Sequence, residues 1–270
     1  MKEDQGQLPT RSPAVIRWFI WYVRRYQLRP CFNAVRLALG HEPQDLPEGR
    51  SIIVVLNHAS WWDPLVCTAA QELFPGRRHF APIDARMLEK YGIFRKLGFF
   101  GVEQGSTRGA AQFLRTSQAI LRQPDAVLWI TAQGEFADVR ARPVVLRRGI
   151  GHLLARADRT PVYPLAIEYP FWNEKRPEVL LGFGPPLLST GRNCSPEEHT
   201  TAVAHALTVT MDHLAALAVK RDPAAFRILC RGQVGMSGVY DSWRRFTHWL
   251  RGRSFSPTHQ AADSHGASHG

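Results

Sequence analysis

The residues best suited to chemistry lie in one short segment, which reads N-H-A-S-W-W-D-P over residues 57–64. It follows the apolar, uncharged run of residues 51–56, which predicts a buried strand, and it precedes an apolar stretch that predicts a helix. A histidine in the loop after a buried strand is a usual position for a catalytic residue in an α/β fold. His58 is therefore the first candidate for catalysis.

Asp63, five residues after His58, is the candidate partner of this histidine. In a regular helix five residues turn a side chain by about 140°, so the two side chains would not meet. Pro64 favours the first helical position and disfavours helical dihedrals at the residue before it, which predicts Asp63 as the N-cap. His58 can then fold back so that Asp63 fixes the tautomer and orientation of its ring, as general base catalysis requires.

A purely structural interpretation of the same segment stays open at this point, with Asp63 as a helix cap and His58 as an ordinary loop residue. Ser60 and Cys67 are weaker candidates for a nucleophile. Ser60 lies two residues from His58 without a separate base, and Cys67 falls inside the apolar helix. We expect both to be structural.

The basic residues of the chain are concentrated at its two ends. The 270 residues carry 34 Lys and Arg against 23 Asp and Glu, a formal net charge of +11. The net charge is +4 over residues 1–30 and +6 over residues 220–253, but only +2 over residues 31–219. This distribution is typical of an enzyme held against an anionic surface, and we expect no nucleic-acid partner. The four widely spaced cysteines favour a reducing compartment.

Residues 13–29 combine aromatic side chains with flanking arginines, and their apolar part is too short to span a bilayer, which needs about 20 apolar residues. This composition favours a helix that lies on an anionic membrane surface. An ordinary amphipathic helix packed on the domain is the alternative. A second aromatic and basic helix is predicted over residues 239–250. The aromatic residues of the first helix are Trp18, Trp21, Tyr22 and Tyr26.

Strands and helices alternate along the chain, which predicts an α/β fold with a mixed central sheet flanked by helices, preceded by the amphipathic membrane-surface helix. We expect an interfacial region over residues 1–30, one domain over residues 31–253 and a disordered tail over residues 254–270. Strands are predicted over residues 51–56, 127–131, 162–169 and 179–183, and helices over residues 65–74, 108–122, 150–157 and 196–219. Histidines of the tail, expected to be solvated, are His259, His265 and His269.

The segment N-H-A-S-W-W-D-P resembles the Asn-His-x-Ser-x-x-Asp block of the glycerolipid acyltransferase family, the lysophosphatidate-acyltransferase-like enzymes. Three further blocks follow in the order of that family. They read K-L-G-F-F-G-V-E-Q-G-S over residues 96–106, W-I-T-A-Q-G-E-F over residues 129–136, and R-R-G-I-G-H-L-L-A-R-A-D-R-T-P-V-Y-P-L-A-I over residues 147–167. The resemblance extends over residues 50–185, and four ordered blocks are far more specific than one His-x-x-x-x-Asp spacing.

The resemblance implies transfer of a fatty acyl group from acyl-CoA or acyl carrier protein to a lipid hydroxyl. Together with the aromatic and basic N-terminal helix, it leads us to expect a peripheral or interfacial membrane protein on the cytoplasmic face. His58 would be the general base, Asp63 would orient it, and backbone N–H groups near Gly134 would hold the oxyanion. Neither a metal nor a cofactor is expected. The residues expected to bind substrate are Asn57, Gln133, Gly134, Glu135, Arg140 and Arg142.

Two blocks depart from the family pattern. Gln133, Glu135 and Phe136 stand where the third block has Glu, Thr and Arg. Gln104 stands where the second block usually carries a phosphate-binding Arg. Because the guanidinium fork binds phosphate through two parallel contacts, these losses argue against glycerol phosphate as the acceptor.

Three other arginines could replace the missing groups, namely Arg108, Arg140 and Arg142. In that case the protein would be a 1-acylglycerol-3-phosphate acyltransferase proper. Otherwise the acceptor is a neutral or differently charged lipid, such as a glycolipid or a lysophospholipid. A catalytically inactive lipid-binding protein of the same fold is a further alternative.

Overall fold

A nine-stranded mixed β-sheet forms the centre of the molecule, in a computed structural model that describes residues 8–233. The strands run in the order β4-β3-β5-β2-β6-β7-β1-β9, and β8 pairs with β6 outside this path. The predicted α/β class with a mixed central sheet is confirmed. The strands are β1 (Ala34–Ala38), β2 (Ile52–Leu56), β3 (Arg78–Asp84), β4 (Phe99–Val102), β5 (Ala126–Thr131), β6 (Asp158–Glu168), β7 (Val179–Phe183), β8 (Leu187–Thr190) and β9 (Phe226–Arg231).

The sheet is flanked by seven α-helical segments within residues 8–233. α1 and α2 are joined by the π-helical turn Val23–Leu28 into one continuous stretch. The predicted helix over residues 239–250 and the predicted tail over residues 254–270 lie outside the described residues. The helices are α1 (Pro13–Tyr22), α2 (Arg29–Cys31), α3 (Asp63–Ala70), α4 (Ala85–Lys90), α5 (Thr107–Leu121), α6 (Gly149–Leu154) and α7 (Pro196–Lys220).

Three adjacent parallel strands, β5, β2 and β6, form the middle of the sheet. Val54 of β2 pairs with Trp129 of β5 on one side and with Tyr163 of β6 on the other. All five residues of β2 are buried, which explains its continuous apolar sequence without alternation. Because the carboxyl ends of parallel strands meet at one edge, the loops after β2, β5 and β6 converge there.

Apolar side chains pack on both faces of the sheet. One core lies between the sheet and helices α5, α6 and α7. The other lies between the sheet, the N-terminal helical segment and α3. Alternation along β2 divides its side chains between the two cores, since Val55 belongs to the first and Val54 to the second.

The N-terminal helical segment is docked on the domain through one side and exposes aromatic rings on the other. Phe19 and Val23 are buried in the core beside α3. Trp18, Trp21 and Tyr26 are each about half exposed, at 48%, 53% and 51%. Packing on the domain therefore leaves an aromatic outer face.

Within residues 8–233, one helix is long and apolar enough to cross a membrane, judged by length and composition alone. This helix is α7. Its 25 residues pack against β6, β7 and α6. Val203, Leu207 and Leu214 are buried in the core between this helix and the sheet. One side of α7 therefore belongs to this core.

Candidate active site at the carboxyl edge of the sheet

His58 and Asp63 lie side by side where β2 ends. Nδ1 of His58 is 2.7 Å from Oδ2 of Asp63. The Asp63 side chain is fully buried, while 18% of the His58 side chain is exposed. Because Nδ1 faces a carboxylate, the neutral ring carries its proton on Nδ1 and leaves the Nε2 lone pair unprotonated. This is the arrangement of a base and its orienting partner.

The predicted N-cap position of Asp63 is wrong. Asp63 is the first residue of α3, and Trp62 stands at the N-cap with helical dihedrals (φ −74°, ψ −19°). A residue before proline is disfavoured in the helical region but not excluded from it. The Asp63 carboxylate accepts the N–H of Ser60 at 3.1 Å, and the Asp63 N–H donates to the Ser60 carbonyl at 3.1 Å. This tight turn, rather than an N-cap, brings His58 back onto Asp63.

Tyr169 is a further donor to Asp63, and sequence reasoning did not identify it. Its hydroxyl donates to Oδ1 of Asp63 at 2.6 Å. Burial raises the pKa of Tyr169 well above its ordinary value, and the charge of Asp63 raises it further. The phenol therefore remains a protonated donor around neutral pH. The sequence signal was an aromatic residue directly after a buried strand, 106 positions from Asp63.

The loop after β5 holds the backbone of His58 from both sides. Oε1 of Gln133 accepts the His58 N–H at 2.7 Å, and the Ala137 N–H donates to the His58 carbonyl at 2.9 Å. The ring of Phe136, which is 61% exposed, has its centroid 4.5 Å from that of the imidazole. Gln133 therefore positions His58, and Phe136 covers part of its ring.

Gly134 lets this loop fold closely against Arg147. Its φ of +72° lies in the region that favours glycine, and a Cβ there would lie 2.1 Å from Nε of Arg147. The Arg147 guanidinium faces the carbonyls of Gln133 and Gly134 at 3.4 and 3.5 Å. The Gly134 N–H already donates to the Thr131 carbonyl at 3.0 Å. Arg147 is thus a cation beside the site that sequence reasoning missed.

Asn57 ties two strands together at this edge. Its Nδ2 donates to the Ile167 carbonyl at 3.0 Å, and its Oδ1 accepts the Ile167 N–H at 2.8 Å. The amide is buried and both of its ends are engaged. The structure therefore favours a positioning role for Asn57 over contact with substrate. Glu135 is exposed, and its binding role stays a prediction.

The two arginines predicted to bind substrate are paired with carboxylates. Arg140 bonds Asp138 at 2.7 Å, and this pair holds the pKa of Asp138 well below its ordinary value. Arg142 bonds Asp212 of α7 at 2.5 Å. The substrate-binding role expected for Arg140 and Arg142 also stays a prediction.

Ser60 and Cys67 have surroundings that suit structural roles. Oγ of Ser60 accepts the Trp62 N–H at 3.3 Å, within the turn before α3. Burial raises the pKa of the Cys67 thiol well above its ordinary value, and the nearby Asp63 charge raises it further. A thiol kept protonated in this way is a poor nucleophile.

Comparison with known proteins gives one family. Residues 40–168 match the family model described as Acyltransferase, a span that contains all four sequence blocks. A solved structure, the 1-acyl-sn-glycerophosphate (LPA) acyltransferase PlsC from Thermotoga maritima, is similar at 15% identity and a TM-score of 0.49, covering 74% of this chain and 80% of its own. No curated protein matches the chain at a significant level. The family match confirms the assignment made from the four blocks.

Proposed function

We propose that this chain, whose residues 40–168 match the acyltransferase family model, transfers a fatty acyl group from a thioester to the hydroxyl group of a lipid. The observation that carries the proposal is the contact of 2.7 Å between His58 and the buried Asp63. Nδ1 of His58 is hydrogen-bonded to Asp63, so Nε2 is the ring nitrogen available to a substrate. The 18% exposure of the His58 side chain leaves it accessible from solvent.

In the proposed reaction, Nε2 of His58 removes the proton of the acceptor hydroxyl as its oxygen attacks the thioester carbonyl. The new C–O bond forms, the C–S bond breaks, and the proton passes from the imidazolium to the leaving thiolate. Asp63 stabilises the imidazolium while it exists. The backbone N–H groups that follow Gly134 are candidates to hold the oxyanion, because the N–H of Gly134 itself is engaged with Thr131.

Replacing His58 by alanine is expected to lower acyl transfer by about 10²–10⁴-fold, the usual contribution of general base catalysis. The measurement is kcat/KM with palmitoyl-CoA and a lipid alcohol. Tyr169→Phe is the matched variant, since it removes one hydrogen bond to Asp63 but keeps the buried ring. We expect a loss of about 10- to 150-fold, because a hydrogen bond to a charged group contributes roughly 1.5–3 kcal/mol. Near wild-type turnover by a folded His58→Ala enzyme would contradict the proposal.

We further propose that the acceptor does not carry a phosphomonoester. Phe136 places an exposed apolar ring on the imidazole, at the position where the third block of the resembled family pattern has arginine. Glu135 beside it is exposed and acidic. A phosphomonoester has a charge of about −1.5 to −2 near pH 7 and would meet no guanidinium at this position.

A competition between lipid acceptors for one labelled acyl-CoA measures this preference. Lysophosphatidate is expected to be acylated more slowly than a neutral or sugar-bearing lipid alcohol. Phe136→Arg returns a guanidinium to the position and is expected to raise the relative rate for lysophosphatidate. Preferred acylation of lysophosphatidate by the wild type would refute the idea. Loss of that activity in Arg147→Ala would then identify the guanidinium that serves instead.

The aromatic outer face of the N-terminal helix supports a further proposal, that the enzyme works at an anionic membrane surface. Trp18, Trp21 and Tyr26 are half exposed although Phe19 and Val23 anchor the same segment in the core. Amphipathic aromatic rings beside arginines are the composition of interfacial helices. The acceptor lipid would then be reached without leaving the membrane.

Sedimentation with anionic vesicles tests the membrane proposal. Replacing Trp18 and Trp21 by alanine is expected to reduce the bound fraction, because it removes the two largest exposed rings of α1. Leu188→Ala, which removes an exposed apolar side chain from β8, is the control and should bind as the wild type does. Equal binding of the wild type, the tryptophan variant and the Leu188→Ala control would show that another surface of the protein binds the membrane.

A further inference from the structure

Glu168 stands at the end of β6, between two residues that already belong to the candidate site. Ile167 before it binds the Asn57 amide through its backbone, and Tyr169 after it donates to Asp63. Strands β2 and β6 are parallel neighbours, and neighbouring strands lie about 4.8 Å apart. The backbone of Glu168 therefore lies beside the loop that follows β2.

The side chain of Glu168 lies on the face of the sheet that α7 covers. Successive side chains of a strand alternate between the two faces, and Ala166 belongs to the core beneath α5, α6 and α7, whereas Ile167 belongs to the other core. Glu168 shares the face of Ala166. Burial raises the pKa of its carboxyl group above the ordinary value, and the nearby charge of Arg142 partly offsets this rise.

One carboxyl oxygen of Glu168 is buried without a hydrogen bond. Within residues 8–233, four buried side-chain atoms have no hydrogen-bond partner, and Oε2 of Glu168 is the carboxyl oxygen among them. The residue as a whole remains partly exposed, so the carboxyl group lies near the surface of the domain. A buried oxygen without a donor costs free energy, and such atoms are rare in folded proteins. A donor on a bound molecule would remove this cost.

A second carboxyl group at the same end of the sheet shows the contrast. Glu178 lies on the same face, two residues before Leu180, which pairs with Glu168. It is 1% exposed and accepts hydrogen bonds from Asn33 and Arg36. The fold thus supplies protein donors to this deeply buried carboxylate and leaves Oε2 of Glu168 without one.

Arg142 does not fill this gap, although its charge is close. Its guanidinium donates to the Asp212 carboxylate and to the carbonyls of Val139 and Ala141. The interaction between Arg142 and Glu168 is therefore one of charge, without a hydrogen bond.

The charges near Glu168 favour a neutral donor. An ammonium group would meet the cations Arg142 and Arg147 of the loop before α6. A phosphomonoester would bring a charge of about −1.5 to −2 beside the carboxyl group. A hydroxyl group carries no charge and donates one hydrogen bond to an oxygen acceptor. A hydroxyl group is therefore the donor that fits Glu168.

We propose that Glu168 binds a hydroxyl group of the acceptor lipid other than the one that is acylated. The acceptor then has a sugar or polyol head group, with one hydroxyl at Nε2 of His58 and another donating to Oε2 of Glu168. This inference rests on the proposed function, since it identifies the acceptor of that reaction. Glu168 would determine specificity, because a site that pairs with a substrate hydroxyl rejects an analogue that lacks it.

The test compares dodecyl glucoside with 1-dodecanol as acceptors, both in phosphatidylcholine vesicles with palmitoyl-CoA as the donor. Glu168→Ala removes the carboxyl group, and Glu89→Ala, which removes an exposed carboxyl group from α4, is the matched control. We expect kcat/KM for the glucoside to fall at least tenfold in Glu168→Ala, with a change below twofold for dodecanol and none in the control. Equal losses with the two acceptors, an unchanged rate with the glucoside, or a wild type that prefers dodecanol would overturn the proposal.

Thermal unfolding separates this role from a structural one. Glu168→Gln keeps the size of the side chain and removes the charge of its buried end. We expect its melting temperature to be no lower than that of the wild type, because the carboxyl group makes no hydrogen bond that the fold would lose. A lower melting temperature in both Glu168→Gln and Glu168→Ala would show that the carboxyl group supports the fold, and would contradict the assigned role.

Binding supplies a readout that does not depend on activity. Saturation-transfer NMR of hexyl glucoside on a His58→Ala chain should detect the bound sugar, and the signal should fall in His58→Ala/Glu168→Ala. Absence of binding by the His58→Ala chain, or binding that the second change does not weaken, would also overturn the proposal. Absence of acyl transfer to either acceptor, with glucoside binding that depends on Glu168, would instead refute the proposed function and leave the binding role of Glu168 standing.

Discussion

A carboxylate that is shut off from water must find its hydrogen-bond donors inside the protein, and Asp63 is such a group. His58 supplies Nδ1, Ser60 supplies its backbone N–H, and Tyr169 supplies its hydroxyl. Two of these donors come from the loop after β2, and the third follows β6. The Asp63 carboxylate therefore ties the turn before α3 to the end of the neighbouring strand β6, and it also orients the ring of His58.

The parallel strands β5, β2 and β6 supply this arrangement, because their carboxyl ends share one edge. The loop after β5 reaches the His58 backbone through Gln133 and Ala137, so the base is held by its backbone as well as by its ring. The helices on the two faces of the sheet expose different kinds of side chain. The side with α1 presents aromatic rings, and the side with α5 and α6 presents arginines.

Sequence patterns identified the buried central strands and the long helices, because continuous β-branched runs and capping residues such as Ser195 are local signals. They missed the edge strands β4 and β9, the strands β3 and β1 next to them, and the short strand β8. Strands β3 and β9 mix charged and apolar residues, as in F-R-I-L-C-R of β9, and so lack a clear period. The His58 and Asp63 pair was found because its partners are five residues apart, whereas Tyr169 and Arg147 join the site only through the tertiary fold.

The tautomer of His58 tests the central claim most directly, since a base held through Nδ1 must keep Nε2 free of its proton. The ¹⁵N resonances of the histidine rings report which nitrogen is protonated, and a His58→Gln chain assigns the signals of His58. In the neutral form of the ring we expect the proton on Nδ1, because Nδ1 faces the Asp63 carboxylate, and we expect loss of that preference in Asp63→Asn. A proton on Nε2 in the wild type, or the mixed tautomers of a solvated histidine, would contradict it.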